Sequence, residues 1–574
     1  MNRTTTREAS SGPSRCNRSR SQREGFFLVL VLIVIVVATM AVYSFTDLMV
    51  AYDDAAYLSG DLVQARVTVE SASEAVRLVL AQPPQGRRDL GGVFNNPQLF
   101  QAITVAADNQ QENLTNYSVL AAGLSPTLGF SGVRFGLQDE SAKLNINTLT
   151  ILENNSDLFE AGLALAGQDL SEDSEAVALG IADSLLMSLP GMTQDTVDAI
   201  LDWLDEDDEA REFGAEAEYY NTLATPYSPA NGPLQTVEEL LLVRGVTPTL
   251  LFGADVNRNG VIDPDEQQRF GVTADTPGAF GWAAYLTVHG AEANRREDGS
   301  LRIDVNQDDL EVLYGELVDA LGDDLFASYI IAYRIGGQSD SAAALLTSGA
   351  TGNANTNSRN NTNNNAQAQD GGVWSADRLE ELDLTGGGGT SLTQILDLVG
   401  SSVTIGQGDQ ARRYSSPIGS DPISLSAILP ILMDALSTQS AEVMPGRLNI
   451  NECPAELLYG IPLLSEEVVQ QLLEARSVDS DDPNRLYETW PLVEGLVTLE
   501  QMRLLTPLWT GGGDVYRAQI VGYFEATGVS HRADVVIDAT SINPKVIAWR
   551  DLSHLGRGFD LSVLGLRSSL SLVE

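Results

Sequence analysis

Cysteine is almost missing from this chain: 574 residues hold two, Cys16 and Cys453. A disulfide framework is therefore excluded, and any staple must be of another kind. Histidine is nearly as scarce, and His289, His531 and His554 lie far apart with no acid or nucleophile pattern around them. The chain has no His-Glu-x-x-His, no Cys-x-x-Cys, no phosphate-binding P-loop and no Gly-x-Ser-x-Gly, so no enzyme is expected. Basic residues are few, 34 against 79 acidic, for a net charge of −45. That excess repels phosphate backbones, keeps the chain soluble and suits calcium. The length exceeds what a single core serves, so about two to four domains are expected.

Long apolar runs are also rare, and the one exception organises the rest. Phe26–Thr46 (FFLVLVLIVIVVATMAVYSFT) runs 21 residues without a charge. As a helix it spans about 31 Å at ~1.5 Å per residue, matching a hydrocarbon core of roughly 30 Å. Before it stand six Arg (3, 7, 15, 18, 20, 23) against two Glu (8, 24). Such a flank stays in the cytoplasm, so the chain beyond Thr46 is expected to be exported, leaving a single-pass inner-membrane protein with its C-terminal part in the periplasm. No Ala-x-Ala-like cleavage site comes after the run, which separates it from an ordinary secretory signal. The junction Gly25-Phe26 instead resembles the type IV prepilin leader, which implies cutting after Gly25 by prepilin peptidase and a mature chain beginning at Phe26. Cys453 is then the one thiol left. Pilins of that kind carry Glu at the fifth mature position, where it pairs with a neighbour's terminal amine. Here that position is Leu30. A subunit without this carboxylate offers no such bond to a subunit above it, and suits the end of a fibre.

From Asp47 to Ala81 the pattern stays helical, with Leu48, Tyr52, Leu62, Val69, Val76 and Leu80 near a 3.6-residue repeat, and Pro83-Pro84 must stop it. Strand-like runs TNYSVLAAG and GVRFGLQ fall within 115–147; VYRAQIVGYFEATG and SHRADVVIDAT alternate as a hairpin near the C-terminus, followed by KVIAWRDL. Read as one antiparallel sheet, these two regions enclose a large insertion. The insertion carries a repeat: Lys143-LNIN-147, Arg302-IDVN-306 and Arg447-LNIN-451 each put a basic residue before an apolar–Asn/Asp–apolar–Asn step. Helical material comes after each, clearest in 186–208 and 464–476, and capping boxes open further helices at Thr236-x-x-Glu239 and Thr498-x-x-Gln501. Residues 349–372 are low complexity, with eight Asn between 353 and 365, and are expected to form a flexible loop.

The chain as a whole resembles the minor pseudopilin K family of type II secretion. The leader, Leu30, DESAKLNIN (139–147), LDWLDEDDEAR (201–211), Ala217-Glu-Tyr-Tyr220, Pro226–Leu234, VEELLLVRGVT (237–247) and a second Leu-Asn-Ile-Asn block come in the family's order. The resemblance implies an α+β fold with a long N-terminal transmembrane and spine helix. A small antiparallel pilin-like sheet comes next, interrupted by a large, mainly α-helical insertion with helix-hairpin-helix-like repeats. It implies a place at the pseudopilus tip beside the I- and J-type minor pseudopilins, and contact with the inner-membrane secretion platform. The third repeat block, the Asn-rich loop and the length of the insertion depart from the family's pattern. The expected division is a leader (1–25), the membrane and spine helix (26–81), the first part of the head (82–147), an α-helical insertion with a calcium loop (148–345), a flexible linker (346–390), a second α-helical block (391–513) and the C-terminal head strands (514–574).

One local motif carries chemistry. Asp255-Val-Asn257-Arg-Asn259-Gly260-Val261-Ile-Asp263-Pro-Asp-Glu266 fits the calcium loop at every constrained place. Oxygen side chains stand at loop positions 1, 3 and 5 (Asp255, Asn257, Asn259), Gly260 makes the turn, and Val261 supplies a carbonyl. Asp263 sits at nine and Glu266 can bind bidentately at twelve. A structural calcium ion holding the insertion is the expectation. The Leu-Pro-Gly-Met turn at 189–192 resembles a DNA-gripping hairpin and raises the alternative of a DNA-uptake receptor. Its second helix, however, runs into Asp202, Asp205, Glu206, Asp207, Asp208 and Glu209, and DNA affinity needs basic neutralisation of phosphates. No nucleic-acid partner is expected.

Overall fold

The computed structural model describes residues 21–106, 114–125, 129–154, 180–338, 369–406, 410–477, 482–525 and 527–565. Most of the leader and the Asn-rich run lie outside these. The chain divides into two compact units, Met1–Gln64 and Ala65–Glu574.

The described part of the first unit is helix. Helix α1, Ser21–Leu80, starts within the leader and runs on without a break. Every apolar side chain from Phe26 to Val37 is exposed, Leu30 among them. Among the described residues α1 is the one helix long and apolar enough to cross a membrane.

In the second unit the rest of α1 becomes a packing element. Ala65, Val69, Ala72, Val76 and Leu80 are buried, a spacing of three to four that gathers them on one face. That face lies on an antiparallel sheet of β1 (Ile103–Ala106), β2 (Thr115–Ser125), β3 (Gly129–Phe135), β4 (Gln138–Asp139), β5 (Val515–Phe524), β6 (Ser530–Asp538) and β7 (Lys545–Asp551). The order is β1-β2-β5-β6-β7, with β3 also on β2 and β4 on β5. Tyr117, Val119, Ala518, Ile520, Ala533, Val535 and Ile537 meet the helix face in one core. A Cβ on Gly522 would stand 2.6 Å from the Ala65 carbonyl, so the helix reaches the sheet because that residue has none. The fold is α+β, and the run KVIAWRD is a third C-terminal strand beyond the hairpin.

Between Asp139 and Val515 the three basic–apolar–Asn motifs shape the insertion alike. Each opens with a two-residue strand paired in parallel to one far downstream: Leu144–Asn145 with Leu286–Thr287, Ile303–Asp304 with Leu436–Ser437, Leu448–Asn449 with Trp509–Thr510. In each, the middle Asn or Asp accepts the amide two residues on (Asn147 to Asn145 at 3.2 Å, Asn306 to Asp304 at 2.8 Å, Asn451 to Asn449 at 2.9 Å), a local turn these short side chains favour. The last Asn reaches a remote backbone: Asn147 bonds both the carbonyl and the amide of Leu234, Asn306 does the same with Leu392, and Asn451 donates to Arg485 and Gly511. The closing strands repeat too, with Thr287, Ser437 and Thr510 hydroxyls accepting the amides of His289, Gln439 and Gly512. A helix pair lies inside each block: Ile181–Met187 with Gln194–Leu204, Leu310–Leu321 with Asp324–Gly336, and Ala455–Tyr459 with Glu466–Ala475.

One core runs from Phe130 to Trp509 and draws on both 148–345 and 391–513. The described part of 346–390 carries regular structure. Strand 369–373 pairs with 412–415, and Trp374 is buried edge-on to Tyr329 and Tyr414. A buried indole outweighs the composition around it. Cys453 is fully buried, and desolvation pushes its thiol up to about 12.

Candidate metal centres

The loop 255–266 begins just past the helix Pro248–Phe252 and ends in the helix Pro264–Phe270. Gly260 takes φ +76° at the turn, a conformation glycine adopts without strain. The oxygen-bearing side chains turn inward. Asp255 accepts the amides of Asn259 at 3.0 Å and Gly260 at 2.8 Å. Asn257 and Asn259 each accept one further loop amide, and Asp263 accepts both their side-chain amides, at 2.7 and 3.0 Å. Glu266 takes Val256 at 2.9 Å and Asn257 at 3.2 Å on one oxygen, and Asp263 at 3.0 Å on the other. Asp255, Asn259 and Glu266 are buried, and desolvation, with the Glu266 charge behind it, lifts Asp255 to about 6. Five of the six expected ligand residues are thus tied together by hydrogen bonds within the loop. Val261 donates its amide to Asn259, and its carbonyl role rests on the spacing alone. Three carboxylates and two amides are hard-oxygen groups of the kind calcium prefers.

A second acidic site was not identified in the sequence. Asp205, Asp207 and Glu216 bring one carboxylate oxygen each within 4.8 Å of one another. Asp202, fully buried at the end of helix Gln194–Leu204, folds the segment back by accepting the amides of Arg211 and, at 2.7 Å, Ala215. Gly214 must be glycine here, since a Cβ would fall 1.8 Å from Asp202 Oδ2. Both oxygens of buried Glu216 and Oδ1 of Asp205 lack a donor among the described residues. Desolvation, reinforced by Asp202, Asp205 and Asp208, raises Glu216 to about 7; desolvation with Asp207 raises Asp205 to about 6. Buried carboxylates without donors fit a cation or a proton. The signal available was the Asp-x-Asp of LDEDDEAR with a Glu after Gly-Ala, but the fold-back that joins them is a tertiary event.

Two further clusters of buried charge are paired. Arg447, the basic residue of the third motif, binds Glu292 at 2.7 Å and Glu488 at 2.8 Å. Arg517 on β5 binds Glu140 and Asp534, each at 2.6 Å. Burial pushes Glu140 up, but Arg517 and Lys143 outweigh it and hold the carboxyl well below its usual range. The hairpin turn at 189–192 is packed rather than presented: Trp282 donates to the Pro190 carbonyl at 2.9 Å, and Leu189 and Met192 are buried. Gly25 and Phe26 lie within α1, and Phe26 is exposed.

Residues 142–252, which contain the second acidic site and stop short of the calcium-type loop, match the family model described as type II secretion system (T2SS), protein K. Over this stretch the chain is similar to the type II secretion protein K family. The protein K match opens one residue before the first repeat motif, at Ala142, and takes in Asp202, Asp205, Asp207 and Glu216. Among solved structures, a chain of the GspK–GspI–GspJ complex from the enterotoxigenic Escherichia coli type 2 secretion system aligns at 9% identity. The alignment covers 87% of this chain and 99% of that one, with a TM-score of 0.30. No curated protein matches the chain.

Proposed function

We propose that this protein is a non-enzymatic minor pseudopilin at the tip of a type II secretion pseudopilus. In this reading prepilin peptidase trims the leader after Gly25, and the apolar half of α1 anchors the chain in the inner membrane with the rest in the periplasm. There it joins I- and J-type minor pseudopilins on the secretion platform, nucleates the fibre, and meets cargo or the outer-membrane channel. The observation that carries this reading is an uncharged span at 26–46, with Leu30 in place of a carboxylate, on a chain whose residues 142–252 match the protein K family. A buried carboxylate in a fibre must be paired; a subunit that lacks one can sit above others but offers no partner for a subunit above itself. The loop 255–266 binds calcium as a structural ion in place of a disulfide.

The test is Gly25→Ala together with Leu30→Glu in cells. Gly25→Ala should leave an unprocessed precursor and no pseudopilus; normal maturation would defeat the leader assignment. Leu30→Glu should let the subunit enter the shaft, which immunolabelling of pili would show. Wild-type protein found along the shaft would overturn the tip role.

A further inference from the structure

The calcium-type loop does not face open solvent on all sides, because four consecutive residues of it are held by the sheet and its C-terminal continuation. Arg532 on β6 donates to the Asn257 carbonyl, and Gln519 on β5 donates to the Arg258 carbonyl at 2.6 Å. Asn259 donates its side-chain amide to the Gly558 carbonyl, and Gly260 sits over Ala122 of β2. The sheet and the insertion therefore meet on the loop itself.

Arg532 is the unusual member of this contact. It is fully buried, yet its Nε and Nη1 have no hydrogen-bond partner among the described residues. Gly558, at φ +78°, leaves room for it: a Cβ there would fall 1.7 Å from Nη1. Through its bond to the Asn257 carbonyl the guanidinium lies against the backbone of the loop, between the positions of Asp255 and Asp263 in sequence. A buried charge with two idle nitrogens is costly unless something nearby needs its field. Asp255, Asp263 and Glu266 against Arg532 leave two negative charges, which one divalent cation cancels.

We propose that Arg532 is the fixed counter-charge of this loop, weakening its hold on a divalent cation and coupling cation binding in the insertion to strand β6 of the sheet. The loop is then a cation-dependent joint between the two, and Arg532 a positioning residue, not a ligand. This rests on the calcium reading of 255–266.

The experiment is hydrogen exchange on the full-length protein in detergent micelles, titrated with calcium chloride after chelation and followed at 255–266 and 530–538. In the wild type, both segments should gain protection with one midpoint. Arg532→Gln should move that midpoint about tenfold lower in calcium, as removal of a charge close to a divalent ion requires. Arg532→Lys, which keeps the charge, should stay within about threefold of wild type. Equal midpoints in wild type and Arg532→Gln, or protection at 255–266 with none at 530–538, overturn the joint and leave the calcium loop standing. No calcium response at 255–266 in the wild type removes the loop reading and the joint with it. Should Arg532→Gln fail to fold, the shared midpoint in the wild type and its retention in Arg532→Lys still decide.

Discussion

The two acidic sites of the insertion are built from similar residues and solve opposite problems. In the loop 255–266 Asp255, Asp263 and Glu266 each accept amides from their own loop, so the loop keeps its form by internal hydrogen bonds. At 205–216 Glu216 has no donor on either oxygen among the described residues, and the shape is held by Asp202, at the end of the preceding helix. Similar net charge thus yields one site that stands by its own bonds and one that leans on a neighbour and on a proton or cation.

The largest expected effect breaks the second site at its latch. Asp202→Ala leaves the Arg211 and Ala215 amides without an acceptor and should cost about 3 kcal/mol or more, measured by chemical denaturation in chelating buffer. Gly214→Ala forces its new methyl onto Asp202 and should cost about 2–3 kcal/mol in the same assay. A sharper comparison sets Glu266→Gln beside Glu216→Gln without divalent ions. The first places an NH₂ against loop amides and should lose about 1–2 kcal/mol. The second removes a donor-less carboxylate and should be neutral or stabilising at pH 7.5, while lowering the gain in Tm on adding calcium. Equal losses in both would erase the distinction.

The smallest effect is in pH. Glu216 and Asp205 have folded pKa values raised to about 7 and about 6, so between about 4 and 7 the folded chain holds protons the unfolded chain has lost. Their contribution is present at the acid end and is lost as pH rises through that window. Glu140 is shifted the other way, and its contribution is present above its unfolded pKa and lost as pH falls through the depressed folded value. In chelating buffer Tm should therefore decline from about pH 5 towards 7.5, and calcium should flatten the decline; a Tm that rises over that range without calcium contradicts the assignment.

Much of the frame was legible because it is periodic or local. The apolar span, the stop at Pro83-Pro84, the two capping boxes and the calcium spacing depend on residues within a few positions of one another. The repeat motif was visible as a pattern, but not its purpose. Nothing in Asn147, Asn306 or Asn451 says that each will hold backbone dozens of residues away. The buried Trp374 was missed inside a stretch whose composition argued for a linker. Nor do three look-alike segments give any sign that they share one core.

The primary structure alone dictated the membrane-length helix, the missing carboxylate at Leu30, the oxygen spacing of 255–266 and the acidic charge, since each is a property of neighbouring residues. Tertiary packing decided which carboxylates lost their donors, where Arg532 came to rest, and how strands hundreds of residues apart in sequence became one sheet. Burial and long-range pairing set those outcomes, and neither exists until the chain has closed on itself.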